Sequence, residues 1–289
     1  MLMIGLVLAG GKGTRLYPIT GAFSKQLLPI YDKPMIYYPI ATLMAAGIRN
    51  IVIVSTPRDQ ELFARLLGDG SQYGVKFFFK IQEEPKGIAE VFTVCKDEIL
   101  GQKVCLILGD NLFHGSGLGR ELAKFNGING AHIFGYQVAN PSDYGVLELD
   151  SNGNIASIIE KPEFPKSQLA IPGLYFYDEK IVEISSSISA SPRGELEITD
   201  VHNIYFKQGN LTASILPRGT AWFDTGSHDA LLDAGNYVKV LENRQGIKVA
   251  CLEEVCWRQG WITDQELMNL AQDPQRHVIK DYLLGILGV

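Results

Sequence analysis

Cysteine is scarce, with four among 289 residues. Cys95, Cys105, Cys251 and Cys256 form no C-x-x-C pair, and no histidine follows at metal-ligand spacing, which excludes zinc-ribbon and redox motifs. A chain of this size does not need disulfide staples, so buried free thiols are expected. Long apolar runs are also missing. The apolar uncharged stretch 34–48 has 15 residues and two prolines, short of the roughly 20 needed to cross a bilayer. Residues 1–9 are apolar but carry no basic lead-in and run into Gly10-Gly11-Lys12-Gly13, so a buried strand is expected there, not a targeting signal. Positive charge is in deficit: 26 Lys+Arg against 32 Asp+Glu give −6, which argues against a polynucleotide partner. The five histidines, His114, His132, His202, His228 and His277, are scattered and sit beside no nucleophile motif. There is no internal repeat and no low-complexity linker. These absences leave the expectation of a soluble cytoplasmic chain with neither nucleic-acid nor membrane partners.

What is present is a core-forming composition, 46% hydrophobic and 20% charged, with an uneven charge distribution. Residues 1–58 hold Lys12, Arg15, Lys25, Lys33, Arg49 and Arg58 against Asp32 alone, so that segment is +5 and the remainder −11. A basic, acid-poor first fifth in an acidic chain points to an anionic ligand bound there.

Short apolar runs at 4–9, 51–55, 75–81 and 104–108 predict strands buried on both faces. Between them, 35–46, 60–67 and 89–99 read as helices, and this alternation predicts βαβ units with a mostly parallel sheet. After residue 130 the strand-like segments 131–138, 146–150, 155–160, 173–177 and 211–216 follow with fewer helices. Asp150-Ser151-Asn152-Gly153-Asn154 is a hairpin turn signal. Helices return at 227–243, with Ser227 as N-cap, and at 263–271 and 278–287.

The loop Leu8-Ala9-Gly10-Gly11-Lys12-Gly13-Thr14-Arg15-Leu16 follows the first strand directly. Gly10, Gly11 and Gly13 let backbone N–H groups approach a phosphate, Thr14 adds a hydroxyl, and Arg15 offers a planar fork. The Walker A pattern fails because Gly13 follows Lys12. The dinucleotide fingerprint fails because its third glycine position is Leu16, which disfavours a nicotinamide oxidoreductase. Ten residues on, Lys25 in Ser24-Lys25-Gln26-Leu27-Leu28-Pro29 reads as a second phosphate contact. Asp110, following the run 104–108, belongs at the carboxyl end of a buried strand, where open α/β sheets bind ligands, and is a candidate Mg²⁺ carboxylate. Asp224, before Thr225-Gly226, is a candidate second one. A capping or turn aspartate is the alternative for each.

The order Gly10-Gly11-x-Gly13-Thr14-Arg15-Leu16-x-Pro18, then Lys25-Gln26-Leu27-Leu28-Pro29, Tyr31-Asp32-Lys33-Pro34-Met35-Ile36, Gln82-Glu83-Glu84-Pro85-Lys86-Gly87, Leu108-Gly109-Asp110-Asn111, Asp143-Tyr144-Gly145-Val146, Glu160-Lys161-Pro162, the segment from Arg193-Gly194-Glu195 to Thr199-Asp200, and Trp222-Phe223-Asp224-Thr225-Gly226 resembles the sugar-1-phosphate nucleotidyltransferases over essentially the whole chain. The branch that joins dTTP to glucose 1-phosphate is the nearest. The resemblance implies a Rossmann-like α/β nucleotidyltransferase fold with a central mixed, mostly parallel sheet. It implies a catalytic domain over 1–245, divided into a nucleotide-binding half (about 1–130) and a mixed-sheet sugar-phosphate half (about 131–245), and a helical appendage over 246–289.

The implied reaction is Mg²⁺-assisted in-line displacement at the α-phosphorus of dTTP by the phosphate of glucose 1-phosphate, giving dTDP-glucose and pyrophosphate, the first step toward dTDP-deoxysugars such as dTDP-L-rhamnose. No protein nucleophile is needed; alignment and charge neutralisation carry the catalysis. By the resemblance Arg15 and Lys25 serve the triphosphate, Lys161 and Arg193 the sugar phosphate, and Asp110 and Asp224 the metal. Leu8, Gln26, Gln82 and Gly87 line the nucleotide site; Tyr144, Gly145 and Glu160 meet the sugar. A homotetramer with dTDP-sugar feedback at a second site is also implied. Two positions depart from the family pattern: Ile171-Pro172 stands where Val-Thr is commoner, and His202 where Asn is. The rival readings are a UTP- or ATP-preferring enzyme with the same sugar phosphate, and a catalytically silent nucleotide-sugar sensor. The latter is disfavoured because a binder would not need both acids.

Overall fold

The computed structural model describes residues 3–11 and 13–288, so Lys12 of the glycine loop lies outside the described residues. Strand Met3–Ala9 is flanked by Asn50–Ser55 and Lys103–Leu108, parallel to both, and Lys76–Ile81 adds in parallel beyond Asn50–Ser55. The sense then reverses. Leu174–Tyr177 pairs antiparallel with both Lys103–Leu108 and Ala131–Gln137. Leu169–Ala170, Gly145–Leu149 and Ile155–Glu160 continue antiparallel, and Leu211–Ile215 joins Ala131–Gln137 in parallel. All ten strands belong to one sheet, so the two halves expected from the sequence share it.

The parallel strands are continuous apolar runs because both faces are covered, and a two-residue period sorts their side chains. Val7, Ile51, Ile53, Cys105 and Ile107 face helix Tyr37–Ala45 and the C-terminal helices, which insert Leu252, Cys256, Leu267 and Leu283. Leu6, Val52, Val54 and Leu106 face the other way, against Val91, Phe92, Val201 and Tyr205. All four cysteines are buried and unpaired, as expected, and burial pushes the Cys95 and Cys256 thiols up to about 12. Among the described residues no helix is long and apolar enough to cross a membrane.

Helix His228–Gln245 starts where the sequence places it, with the Ser227 hydroxyl accepting from the Ala230 N–H at 3.2 Å. Thr263 caps Asp264–Gln272 through a reciprocal box with Glu266. The predicted hairpin forms between Gly145–Leu149 and Ile155–Glu160, its turn fixed by Asp150 Oδ1 accepting from the Asn152 and Asn154 N–H groups. The span 89–99 expected as one helix is two, Glu90–Val94 and Lys96–Ile99, broken at Cys95 where φ is −98° and ψ 14°. Not expected from the sequence were, among others, helices Leu118–Ala123, Ile181–Ser186 and Ile198–Lys207, and a separate antiparallel pair, Asn111–His114 with Ala221–Asp224.

Candidate active site

The glycine loop leaves the first strand at its carboxyl end, and the chain turns at Gly13, which has φ +62°, into a tight turn Thr14–Leu16. The Gly13 carbonyl accepts from the Thr20 hydroxyl at 2.8 Å, and a Cβ on Gly13 would sit 2.9 Å from the Thr20 methyl. The next strand ends lie alongside. The Gly109 N–H donates to the Leu8 carbonyl at 2.9 Å, and a Cβ on Gly10 would meet Gln82 Oε1 at 2.6 Å. Gln26 is buried behind the loop and accepts from the Ser24 hydroxyl.

Asp110 and Asp224 converge although 114 positions separate them. Strand Asn111–His114 runs antiparallel to Ala221–Asp224 with Asp224 opposite Asn111, and the Thr225 N–H and hydroxyl both donate to the Asp110 carbonyl, at 3.0 and 2.7 Å. Lys25 donates to Asp110 Oδ2, and Asn111 Nδ2 donates to Oδ1 at 3.0 Å. Burial alone would raise the Asp110 carboxyl; Lys25 outweighs it and holds the group below the ordinary range. Among the described residues Asp224 has no such close cation, since Arg15 Nη2 stands 3.8 Å from its Oδ2. Burial, then the Asp110 charge, push Asp224 up to about 6. A carboxylate pair short of positive charge is what a Mg²⁺ ion would relieve, taking one or two carboxylates and completing its shell with substrate oxygens and water. Among the described residues no cluster of three or more His, Cys, Asp or Glu suited to a metal occurs, so protein ligands alone would not complete that shell.

Asp110, Asn111 and Asp224 line a cavity of about 580 Å³ together with Thr14 and Arg15. Its remaining lining includes Tyr144, Gly145, Glu160, Lys161, Thr199 and Trp222. Glu160 accepts from the Thr199 hydroxyl, and a Cβ on Gly145 would press on both, at 3.3 and 3.4 Å. Tyr144 lies edge-on to Trp222, ring centres 5.1 Å apart. Lys161 is held in the left-handed region, φ +42°, by its N–H on the Tyr144 carbonyl at 3.0 Å, an unusual conformation for a lysine. A larger cavity, about 800 Å³, lies between the 32–37 region and the C-terminal helices, and the converging acids do not line it.

Arg193 is not brought to the cavity. Its guanidinium is taken by Glu195 at 2.8 Å and Glu197 at 3.3 Å. Gly87, φ +114°, is required by the Leu196 backbone, which a Cβ would meet at 2.4 Å, and Gln82 Nε2 donates to Glu90 at 2.7 Å. Sequence reasoning did not assign Thr199, Trp222, Tyr175 or Asn111 to the site. Asn111 and Trp222 stand beside the metal candidates in the motifs, which was the available signal.

A parallel sheet with a glycine loop, two acids and two cations gathered at its carboxyl edge defines a nucleotide-handling transferase. The chain belongs to the Nucleotidyl transferase family, whose pattern it matches over residues 4–240. It is 52% identical over 285 residues to the glucose-1-phosphate thymidylyltransferase of Mycobacterium tuberculosis (strain ATCC 25618 / H37Rv), covering 99% of each chain. Among solved structures it is similar to a Bacillus anthracis protein assigned as a glucose-1-phosphate thymidylyltransferase, in complex with a sucrose (TM-score 0.75, 36% identity, 81% of this chain and 94% of that one). It is also similar to UDP-glucose pyrophosphorylase complexed with UDP-glucose (TM-score 0.73, 26% identity, 83% and 99%).

Proposed function

We propose that the chain condenses dTTP with glucose 1-phosphate to dTDP-glucose and pyrophosphate, the entry to dTDP-deoxysugars such as dTDP-L-rhamnose. The observation that carries the reading is one cavity lined by Arg15, Asp110, Asp224, Gly145, Glu160 and Lys161, with Lys25 paired to Asp110. The substrates are taken from the thymidylyltransferase relatives. Arg15 lies at the cavity and is free to swing from Asp224 to the triphosphate; Lys25 holds Asp110 and adds positive charge beside the phosphates. Lys161 receives the sugar phosphate. Glu160, its carboxylate steadied by Thr199, accepts from sugar hydroxyls, and Gly145 lets the ring approach. A Mg²⁺ ion on Asp110 and Asp224 would supply phosphate charge neutralisation. The attacking phosphate oxygen is already an anion, so no side chain need remove a proton from it; the chain's work is to set it in line and offset the repulsion of two anions. A cytoplasmic homotetramer with dTDP-sugar feedback belongs to the same reading and rests on the family resemblance.

The test is pyrophosphate release with Mg²⁺, glucose 1-phosphate and each nucleoside triphosphate in turn. Thymine exceeds uracil by one methyl, worth only about 1–3 kcal/mol in a pocket, so UTP is expected to be used within roughly 10–200-fold of dTTP. Preference for ATP would remove the thymidylyl assignment, and no release with any triphosphate would remove the enzyme.

A further inference from the structure

Arg58 belongs to the basic first fifth of the chain, yet it does not line the cavity. Its guanidinium donates to Asp59, Nε to Oδ1 and Nη2 to Oδ2, both at 3.2 Å, and its Nη1 donates to the Gly21 carbonyl at 3.4 Å. Asp59 is 1% exposed and precedes helix Gln60–Leu67, a position from which an aspartate normally accepts from the first N–H groups of the helix. Among the described residues it makes no such cap. Its side chain turns away, Oδ1 accepting from the Ser24 N–H at 3.1 Å and Oδ2 from the Thr56 hydroxyl at 2.8 Å. A buried carboxylate has given up a local cap for a backbone N–H 35 residues distant.

The topology explains the reach. Strands Met3–Ala9 and Asn50–Ser55 are parallel neighbours with Ala9 opposite Ser55, so the turn 56–59 lies beside the start of the glycine loop. The chain leaving that loop passes Gly21 and Ser24 on its way to Lys25, and Arg58 and Asp59 hold both. The Ser24 hydroxyl in turn donates to Gln26, and Lys25 between them donates to Asp110.

We propose that Asp59 is a positioning residue that tethers the 21–24 segment to the sheet through the Ser24 N–H, and so sets Lys25 against Asp110 and the phosphates. The inference rests on the reading of the cavity as a nucleotidyl-transfer site. Misplacing a reacting or charge-bearing group by about 1 Å costs on the order of 10²-fold in rate, so one tether is enough to matter. It serves the nucleotide side, whereas Gly145, Glu160 and Lys161 stand on or directly after strands Gly145–Leu149 and Ile155–Glu160.

Two variants separate the tether from stability. Asp59→Asn keeps an oxygen that accepts from Ser24, and its kcat is expected within about threefold of wild type. Asp59→Ala loses the acceptor; kcat is expected to fall on the order of 10²-fold while KM for glucose 1-phosphate stays within about threefold. In the Lys25→Ala background, Asp59→Ala should lower kcat by less than about threefold, because the group it positions is gone. Should Asp59→Ala fail to fold, Asp59→Ser takes its place, since serine caps helix Gln60–Leu67 well but is one bond shorter toward Ser24. Wild-type kcat in the folded Ala or Ser variant, an Asn variant as slow as Ala, or an undiminished loss in the Lys25→Ala background overturns the proposal. If wild-type protein releases no pyrophosphate, the functional reading fails instead. Hydrogen exchange of the Ser24 amide then still decides the tether: it should quicken at least about tenfold in Asp59→Ala relative to Asp59→Asn, and equal rates would overturn it.

Discussion

The two cavities differ in how their charges are settled. In the larger one, Lys33 contacts Asp32 and Glu242, Lys248 bonds the same two acids at 2.7 and 2.6 Å, and Arg276 bonds Glu253 at 3.1 Å. Burial would raise Asp32, but Lys248 and Lys33 hold it below the ordinary range. In the smaller cavity Asp110 pairs with Lys25, while Asp224 is pushed up to about 6 and Arg15 stands off at 3.8 Å. The first arrangement is a finished structural network, joining the 32–33 turn to helix His228–Gln245. The second is held together by its surroundings with its electrostatics incomplete, the condition expected of groups that await a charged ligand. The unsettled charge, not the size, favours the smaller cavity as the candidate active site.

The largest expected effect comes from removing charge on the unsettled side. Asp110→Asn and Arg15→Ala should each keep the fold and lower turnover by at least the order of 10²–10³, measured as pyrophosphate release. Retention of wild-type turnover in either would end the assignment of the smaller cavity. On the settled side the same kind of change should act on stability instead. Glu242 is buried and accepts from Lys33, Lys248 and the Val249 N–H. Glu242→Gln leaves two enclosed lysines facing Asp32 alone and should cost about 3 kcal/mol in denaturant unfolding, with kcat intact at 25 °C. A loss below about 1 kcal/mol, or a collapse of kcat in folded protein, would erase the contrast between the cavities.

The parallel half was legible because burial on both faces forces continuous apolar runs, and Met3–Ala9, Asn50–Ser55 and Lys103–Leu108 are all such runs. Arg15 and Asp110 follow strand ends by six and two residues, so their neighbourhood could be read from their position in sequence. Asp224 was different. Its meeting with Asp110 depends on two four-residue strands, Asn111–His114 and Ala221–Asp224, whose pairing spans over a hundred residues and leaves no periodic trace. Arg193, assigned by its motif to a phosphate, pairs in the structure with Glu195 and Glu197, two and four residues on. Gly87, expected beside a base, stands against the Leu196 backbone, which a Cβ there would meet at 2.4 Å. Helix Ile198–Lys207, which carries Thr199 to Glu160, was hidden because its polar and apolar residues serve a cavity as well as a core.

The smallest effect concerns the raised Asp224 carboxyl. Its value of about 6 in the folded chain exceeds the ordinary 3.8, so between about pH 4 and pH 6 the folded state holds a proton the unfolded state has lost. Stability from this group is full below pH 4 and lost as pH rises through 6, a difference on the order of 3 kcal/mol. Asp224→Asn should flatten that part of the stability–pH curve of the metal-free protein. A divalent ion replaces the proton as the neutralising charge, so Mg²⁺ should raise the unfolding temperature at pH 7.5 more than at pH 5. The paired acids of the larger cavity predict the reverse sign: Asp32, held low by Lys248 and Lys33, contributes stability above its unfolded pKa that is lost on acidification. Asp32→Asn should therefore flatten the acid limb and leave the Mg²⁺ shift untouched. If Mg²⁺ shifts the unfolding temperature of Asp224→Asn as much as that of wild type, the ion binds elsewhere and the unsettled carboxylate pair is not its site.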